Sequence, residues 1–413
     1  MNRFVAPARY LPQQQRLPSS RLTVLLALAG ILLLPGCYYV QAARGQLEVL
    51  HKREPVEDVI AAAETPGELA RRLSLLRDAR QFAVDELGLP DNDSYRTYSE
   101  LDRDYVVWNV FATPEFSLTP KTWCYPIVGC VSYRGYFSED RARRQAKRLA
   151  ERGYDVAVGG VAAYSTLGRF DDPILSTMMR WDDVRIVSTL FHELAHQVIY
   201  VKNDTGFNES FATAVEEIGI ERWLDRHGRA EDMSLYRAQK RLQQNYIELV
   251  NVARKDLNAL YRKKVGQAEM RSRKQARLTR LRDDIEALLR AEGRNTDFWL
   301  TAELNNARLV PVALYEGRVP AFLAIYRGCG SEIECFYREV GVLSELSVAE
   351  RDARLDALEA GDTISRVGPP NPNGADLSDF RSFRGRHLAA IVSPIAPGRR
   401  SHKSYALSQC HCV

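Results

Sequence analysis

The chain lacks a surplus of either charge. Its 413 residues carry 57 lysines and arginines against 53 acids. The small basic excess lies in residues 1–36, where Arg3, Arg9, Arg16 and Arg21 meet no acid. From residue 37 onward the two signs balance, so composition gives no support to a nucleic-acid partner. Long apolar runs are missing too. The longest, residues 22–34, has thirteen apolar-type positions, short of the roughly 20 that span a bilayer. Cysteines number seven and none follow the C-x2-C spacing of common zinc modules. Hydrophobic residues make up 45% and charged residues 27%. That is globular composition, long enough for two or three domains or one large one.

What is present begins at the amino end. The basic segment followed by a short apolar stretch reads as an export signal. Leu34-Pro35-Gly36-Cys37 resembles a bacterial lipobox, in which the cysteine becomes the lipidated first residue of the mature chain. The alternatives are a plain signal peptide and a short anchor helix. Tyr38 follows, with no aspartate at that position, which favours the outer membrane, facing the periplasm. Export permits disulfides. Cys124 and Cys130 are six apart and Cys329 and Cys335 repeat the spacing, so these four are disulfide candidates with pairing left open. Cys410 and Cys412, flanking His411, are treated as tail residues.

Apolar spacing predicts helix over much of residues 38–87, most clearly over 66–87, where Gly88 and Pro90 end it. Residues 105–111 are rich in β-formers. A charged amphipathic helix is expected over 138–152, ended by Gly153, with strand character from 154 to 167. Residues 232–292 read as two long helices paired as a hairpin. Further helices are expected over 298–309 and 319–337. Beyond residue 363 composition turns to Pro, Gly, Ser and Arg, and a disordered tail is expected. The predicted divisions are a signal peptide (1–36), a catalytic core (37–230), the hairpin (231–295), a carboxy-terminal helical part of the catalytic body (296–362) and the tail (363–413). The predicted fold class is α+β, predominantly helical, with a small mixed sheet.

The most informative stretch is His192-Glu193-Leu194-Ala195-His196. Positions i and i+4 of a helix share a face, so both imidazoles can reach one metal ion. Glu193 stands where it can reach a water on that ion. Zinc with three protein ligands keeps a fourth position for water and lowers its pKa to about 7. Leu190, Phe191, Leu194, Ala195 and Val198 predict a buried stripe. Asp182 or Asp183 is placed to cap this helix. The helix is expected to continue about one and a half turns past His196 and to end in the turn cluster at Asn203-Asp204-Thr205-Gly206. Asn208 is placed to cap a return helix with Glu209 in its first turn, giving a His2Glu ligand set. Glu216, one heptad on, is placed to orient an imidazole; Glu217 is expected in solvent. Asp204 and His227 are competing third ligands. No third histidine follows in the longer metzincin pattern.

These residues resemble a gluzincin, most closely the bacterial family of zinc aminopeptidases, many of whose members carry lipoprotein signals. The shared stretches span most of the mature chain. They include Gly36-Cys37-Tyr38-Tyr39 with Gln41-Ala42-Ala43-Arg44-Gly45-Gln46; Trp123-Cys124-Tyr125-Pro126; Tyr133-Arg134-Gly135-Tyr136-Phe137; Ala163-Tyr164-Ser165-Thr166-Leu167-Gly168; the HELAH element; Phe207-Asn208-Glu209-Ser210-Phe211-Ala212; and Asn305-Asn306-Ala307. The resemblance implies a zincin-like core and aminopeptidase activity. Twelve residues separate His196 from Glu209, fewer than in the aminopeptidase-N type. The Gly-x-Met-Glu-Asn element that binds a substrate amino terminus there is missing.

The sequence therefore predicts a zinc peptidase. His192, His196 and Glu209 bind Zn2+, Glu193 is the general base, and Tyr164 is a candidate oxyanion donor on an edge at residues 161–166. Tyr315 and Arg134 are weaker candidates. The expected partners are a peptide substrate and a membrane reached through lipid on Cys37, with no nucleic acid. The competing readings are an envelope endopeptidase and a non-catalytic adaptor with a vestigial zinc site.

Overall fold

The computed structural model describes residues 36–125, 129–294, 304–315 and 317–366. The chain divides into two units, residues 1–48 and 49–413. Of the first, the described part is helical and belongs to α1 (Gly36–His51). Cys410, His411 and Cys412 lie outside the described residues.

The second unit opens with β1 (Arg53–Pro55), α2 (Val56–Ala61) and α3 (Gly67–Asp85). Strands β2 (Thr97–Ser99), β3 (Val107–Pro114), β4 (Trp123–Tyr125), β5 (Gly129–Val131) and β6 (Arg134–Tyr136) follow. Then come α4 (Glu139–Ala150), β7 (Tyr154–Val161), β8 (Ile174–Leu175), α5 (Asp183–Ala195) and α6 (Thr205–Arg226). The long pair is α7 (Ala230–Tyr261) and α8 (Gln267–Ala291). The last described elements are α9 (Val310–Tyr315), α10 (Val319–Gly328), α11 (Ile333–Ser344) and α12 (Val348–Arg366). Helix predominates and the sheets are small and mixed, an α+β fold. Among the described residues no helix is long and apolar enough to cross a membrane.

The strongest pairing is β3 with β7, antiparallel from Val107 opposite Val161 to Pro114 opposite Tyr154. Strand β6 adds to the other side of β3. A Cβ on Gly160 would fall 2.3 Å from the Tyr105 ring, so the strand needs glycine where that ring crosses it. Helix α4 covers the sheet with Ala142, Ala146 and Leu149 and turns its charged side outward. Gly153, at φ +79°, makes the tight return into β7. A second sheet orders β1, β2 and β8, with β2 and β8 parallel. Strands β4 and β5 form a separate hairpin, bridged by a disulfide between Cys124 and Cys130.

The strand expected over 154–167 ends at Val161. Beyond it the hydroxyl of Thr166 binds Asp172 at 2.9 Å, and the Thr166 N–H donates to the same carboxylate at 2.7 Å. These bonds curl the chain into a loop, with Leu167 and Gly168 left-handed. The helix expected over 319–337 is two helices. Gly330 and Ser331 at positive φ separate them, and Cys329–Cys335 closes the break. Residues 363–366, expected in the tail, continue α12, and the remainder of that tail lies outside the described residues. Of the helix expected over 298–309, residues 298–303 lie outside them as well. Residues 306–309 form a short 3-10 turn leading into α9.

The hairpin α7–α8 has its own apolar seam, in which Val250, Ala253, Leu257, Leu278, Leu281 and Ile285 are buried. Asn306 ties it to the sheet. Its N–H donates to Asp155 at 2.8 Å, its amide to the carbonyls of Glu115 and Ser117, and its carbonyl oxygen accepts from the Tyr261 hydroxyl. Lys274 donates to the same Asp155 carboxylate at 2.6 Å. The Asn305-Asn306-Ala307 element thus acts as a joint between sheet and hairpin.

Candidate metal centre

Helix α5 begins because the Asp182 carboxylate accepts the N–H of Arg185 at 2.9 Å, a standard cap. From Ile186 to Ala195 every residue is buried, on all faces of the helix. The helix does not run on past His196 as the sequence suggested. It stops at Ala195, His196 is its C-cap, and tight turns follow, Gln197 N–H to Leu194 O and Val198 N–H to Ala195 O. Apolar Val198 and Ile199 look like further helix; here they pack half-buried against the core instead.

The return also differs in detail. Asp204, not Asn208, caps α6 by accepting the Phe207 N–H at 3.0 Å. Asn208 instead clasps the incoming loop. Its carboxamide accepts from Val201 N–H at 2.7 Å and donates to Val201 O at 2.8 Å. Because α6 starts at Thr205, Glu209 stands in its second turn. The buried Arg351 of α12 reaches the Asp204 carboxylate with two nitrogens and lies over the Phe207 ring. A second strut is Gln197, which accepts from Asn92 at 2.7 Å. Asn208, Arg351 and Gln197 were not read as supporting residues from sequence. The only signal for them was adjacency to ligand positions, and Arg351 had none.

The geometry brings together what the spacing implied. His192 Nε2 and His196 Nε2 lie 3.2 Å apart. Glu209 Oε2 is 3.4 Å from the first and 3.6 Å from the second. These three side chains form a buried group able to hold a metal ion. Ligands about 2.05 Å from a tetrahedral zinc stand about 3.3 Å from one another, so the observed triangle has the dimensions of three tetrahedral ligands. Glu209 Oε2 is buried with no aligned hydrogen bond to either ring, a cost unless a cation compensates it. Glu193 is wholly buried on the same helix.

Electrostatics agree with a cation site. Burial alone would depress the His192 imidazole. The adjacent carboxylates of Glu209 and Glu216 outweigh it and push the group up to about 10. Burial holds His196 below the ordinary histidine value, against the pull of Glu209. Burial would raise the Glu209 carboxyl, but the two imidazoles outweigh it and hold it below the usual carboxylate range. The same negative surroundings that favour a proton on His192 favour a divalent ion.

Glu216 Oε2 lies 3.2 Å from His192 Nδ1, the ring nitrogen turned away from the triangle. Glu217, expected in solvent, pairs with Lys240 at 3.0 Å across α6 and α7. His227 hydrogen-bonds Trp223 O through Nδ1 at 2.7 Å and ends α6; Asp204 is taken by its cap and Arg351. Neither joins the triangle. Tyr164 is buried with its ring edge-on to Phe137. Arg134 lies over the Tyr136 ring. The side chains of Tyr315 and Cys37 fall outside those described.

A family model with the description "Putative aminopeptidase" matches residues 37–355. No curated protein matches the chain, and no solved structure does.

Proposed function

The chain belongs to this aminopeptidase family, and from that premise we propose that it is a zinc-dependent peptidase with a zincin-like core. The observation that carries the reading is the triangle of His192, His196 and Glu209 donor atoms, 3.2 to 3.6 Å on a side, with Glu193 buried on the same helix. His192, His196 and Glu209 would hold the ion, and imidazole with carboxylate suits zinc. When bound, zinc supplies Lewis acidity, activating a water and polarising a scissile carbonyl. Glu193 takes the proton from the attacking water and returns it to the departing amine. Glu216 fixes the His192 ring through Nδ1. The chain after Val161 is a loop and not the strand edge expected at residues 161–166; Tyr164, in that loop, would donate to the oxygen that gains charge.

The family's description supports aminopeptidase action, and stepwise trimming of a peptide followed by mass spectrometry separates it from internal cutting. The export signal read in residues 1–36 and the lipobox cysteine Cys37 support a location on the outer membrane, facing the periplasm. Metabolic labelling with a radioactive fatty acid should mark the wild-type chain and not Cys37→Ala. The direct test of mechanism is Glu193→Gln. It should retain its metal and lose peptide turnover by at least about a hundredfold, given the usual contribution of a general base. Unchanged turnover would remove Glu193 from the reaction.

A further inference from the structure

Charge is balanced over residues 37–413 but not evenly placed. Two segments, 141–152 and 254–282, carry seventeen lysines and arginines against three acids. Acids therefore outnumber bases over the rest of residues 37–413.

The fold brings these two segments to one end of the β3–β7 pair. Helix α4 packs on both strands and leads through Arg152 into β7, whose first residue, Tyr154, is paired with Pro114. At that same end Arg271 grips Glu115 at 2.6 and 2.9 Å, and Lys274 bonds Asp155 and the Glu115 carbonyl. The bend of the hairpin, Arg262-Lys263-Lys264, lies between α7 and α8, just before those contacts. Lys255 precedes the end of α7 by six residues, about 9 Å at the helical rise.

Some of these cations are committed within the fold, as Lys274 and Arg271 are. Others are not. Lys255, Arg262, Lys263, Lys264 and Arg280 are exposed and pair with no acid among the described residues. Arg144, Lys147 and Arg148 of α4, and Arg152 just past its end, are in the same position. Holding so many unneutralised cations at one end raises the local positive potential, which self-repulsion would disperse were nothing to oppose it.

We propose that this basic end, the hairpin bend with the outer side of α4, binds a phosphate-bearing anionic phospholipid surface. Charge complementarity with lipid headgroups is the primary argument. The choice over nucleic acid rests on one observation and on the export proposed above. The one aromatic residue of these segments, Tyr261, is half-buried and hydrogen-bonded to Asn306, whereas single-strand binding needs exposed stacking rings. The export signal proposed for residues 1–36 would bring the chain to where lipid headgroups are the abundant polyanion. The proposal does not depend on the metal centre.

The test uses the full chain with vesicles of phosphatidylglycerol and phosphatidylethanolamine, and with vesicles of phosphatidylcholine alone. A binding contribution common to both, such as that of the apolar leader, cancels in the comparison. Partitioning should favour the anionic vesicles at least about tenfold at 0.05 M salt and lose that preference at 0.5 M, where screening is nearly complete. A full chain with Lys255→Gln, Arg262→Gln, Lys263→Gln and Lys264→Gln should lose the preference while keeping the wild-type melting temperature, since none of these side chains is committed to a fold contact. Equal partitioning into both vesicles, or an unaltered preference in the variant, overturns the proposal. Stronger binding to duplex DNA than to anionic vesicles at equal phosphate concentration overturns the lipid assignment.

Discussion

A carboxylate that never touches the ion can decide whether the ion is held. Glu216 Oε2 lies 3.2 Å from His192 Nδ1, where it would accept a hydrogen bond from that nitrogen and leave Nε2 to face an ion. Glu216→Ala should weaken zinc binding about 10- to 100-fold by competition with a chelating dye; unaltered affinity would reduce Glu216 to a bystander. Asp172 makes a different test, remote from the ligands. Burial, the largest influence, pushes its carboxyl up to about 7, against the opposing pull of the Thr166 N–H and hydroxyl. The folded chain therefore binds this proton more tightly than the unfolded one, whose ordinary value is 3.8. Stability from this group is complete below about pH 4, declines as pH rises, and reaches its full deficit above about pH 7. Asp172→Asn should remove that slope and gain a few kcal/mol at pH 8 relative to wild type, by denaturant melts at pH 5 and pH 8. An identical slope in the variant contradicts it. At this scale the sequence was most legible where one spacing rule governs: His192, His196 and Glu209 converge as their positions implied. Asn208 was misread because capping residues are interchangeable in sequence, and Asp204 four positions earlier took the cap.

At the scale of elements, the ligand set depends on how closely α5 and α6 approach. A Cβ on Gly219 of α6 would fall 2.7 Å from Phe191 Cδ2 and 2.8 Å from Leu87 Cδ1. Phe191 adjoins His192, so these two helices hold their spacing because Gly219 has no side chain. Gly219→Val should cost about 1–3 kcal/mol through overpacking. It should also lower zinc affinity, because Glu209 moves with α6 while the imidazoles stay on α5. Wild-type stability in calorimetry together with wild-type affinity would show that the helices do not pack through this glycine. The hairpin of α7 and α8 and the helix of α4 were legible because each has a long, clean period, and the strand at β3 because it is rich in β-formers. The end of α5 was not, since Val198 and Ile199 continue the apolar pattern after the helix stops. Nor was the break between α10 and α11, where Gly330 and Ser331 take left-handed turns that local apolar spacing does not register.

Over the whole molecule, the supports of the centre come from far along the chain. Arg351 of α12 holds Asp204 at the head of α6, and Asn92 holds Gln197 just past His196. No spacing rule links residues 147 positions apart in sequence, so this part of the site was invisible before the fold was known. A metal that binds only the folded chain shifts the folding equilibrium by mass action. Chelation should therefore lower the melting temperature by several degrees, and added zinc should restore it. No change on chelation would mean that the centre holds no metal under those conditions.

The most direct test is the zinc content of the purified chain by elemental analysis, for wild type, Glu193→Gln and Glu209→Ala. The account predicts about one zinc per chain in the first two and a loss of most of it in the third, because Glu209 completes the ligand set and Glu193 does not ligate. Full zinc content in Glu209→Ala, or none in wild type, would contradict it.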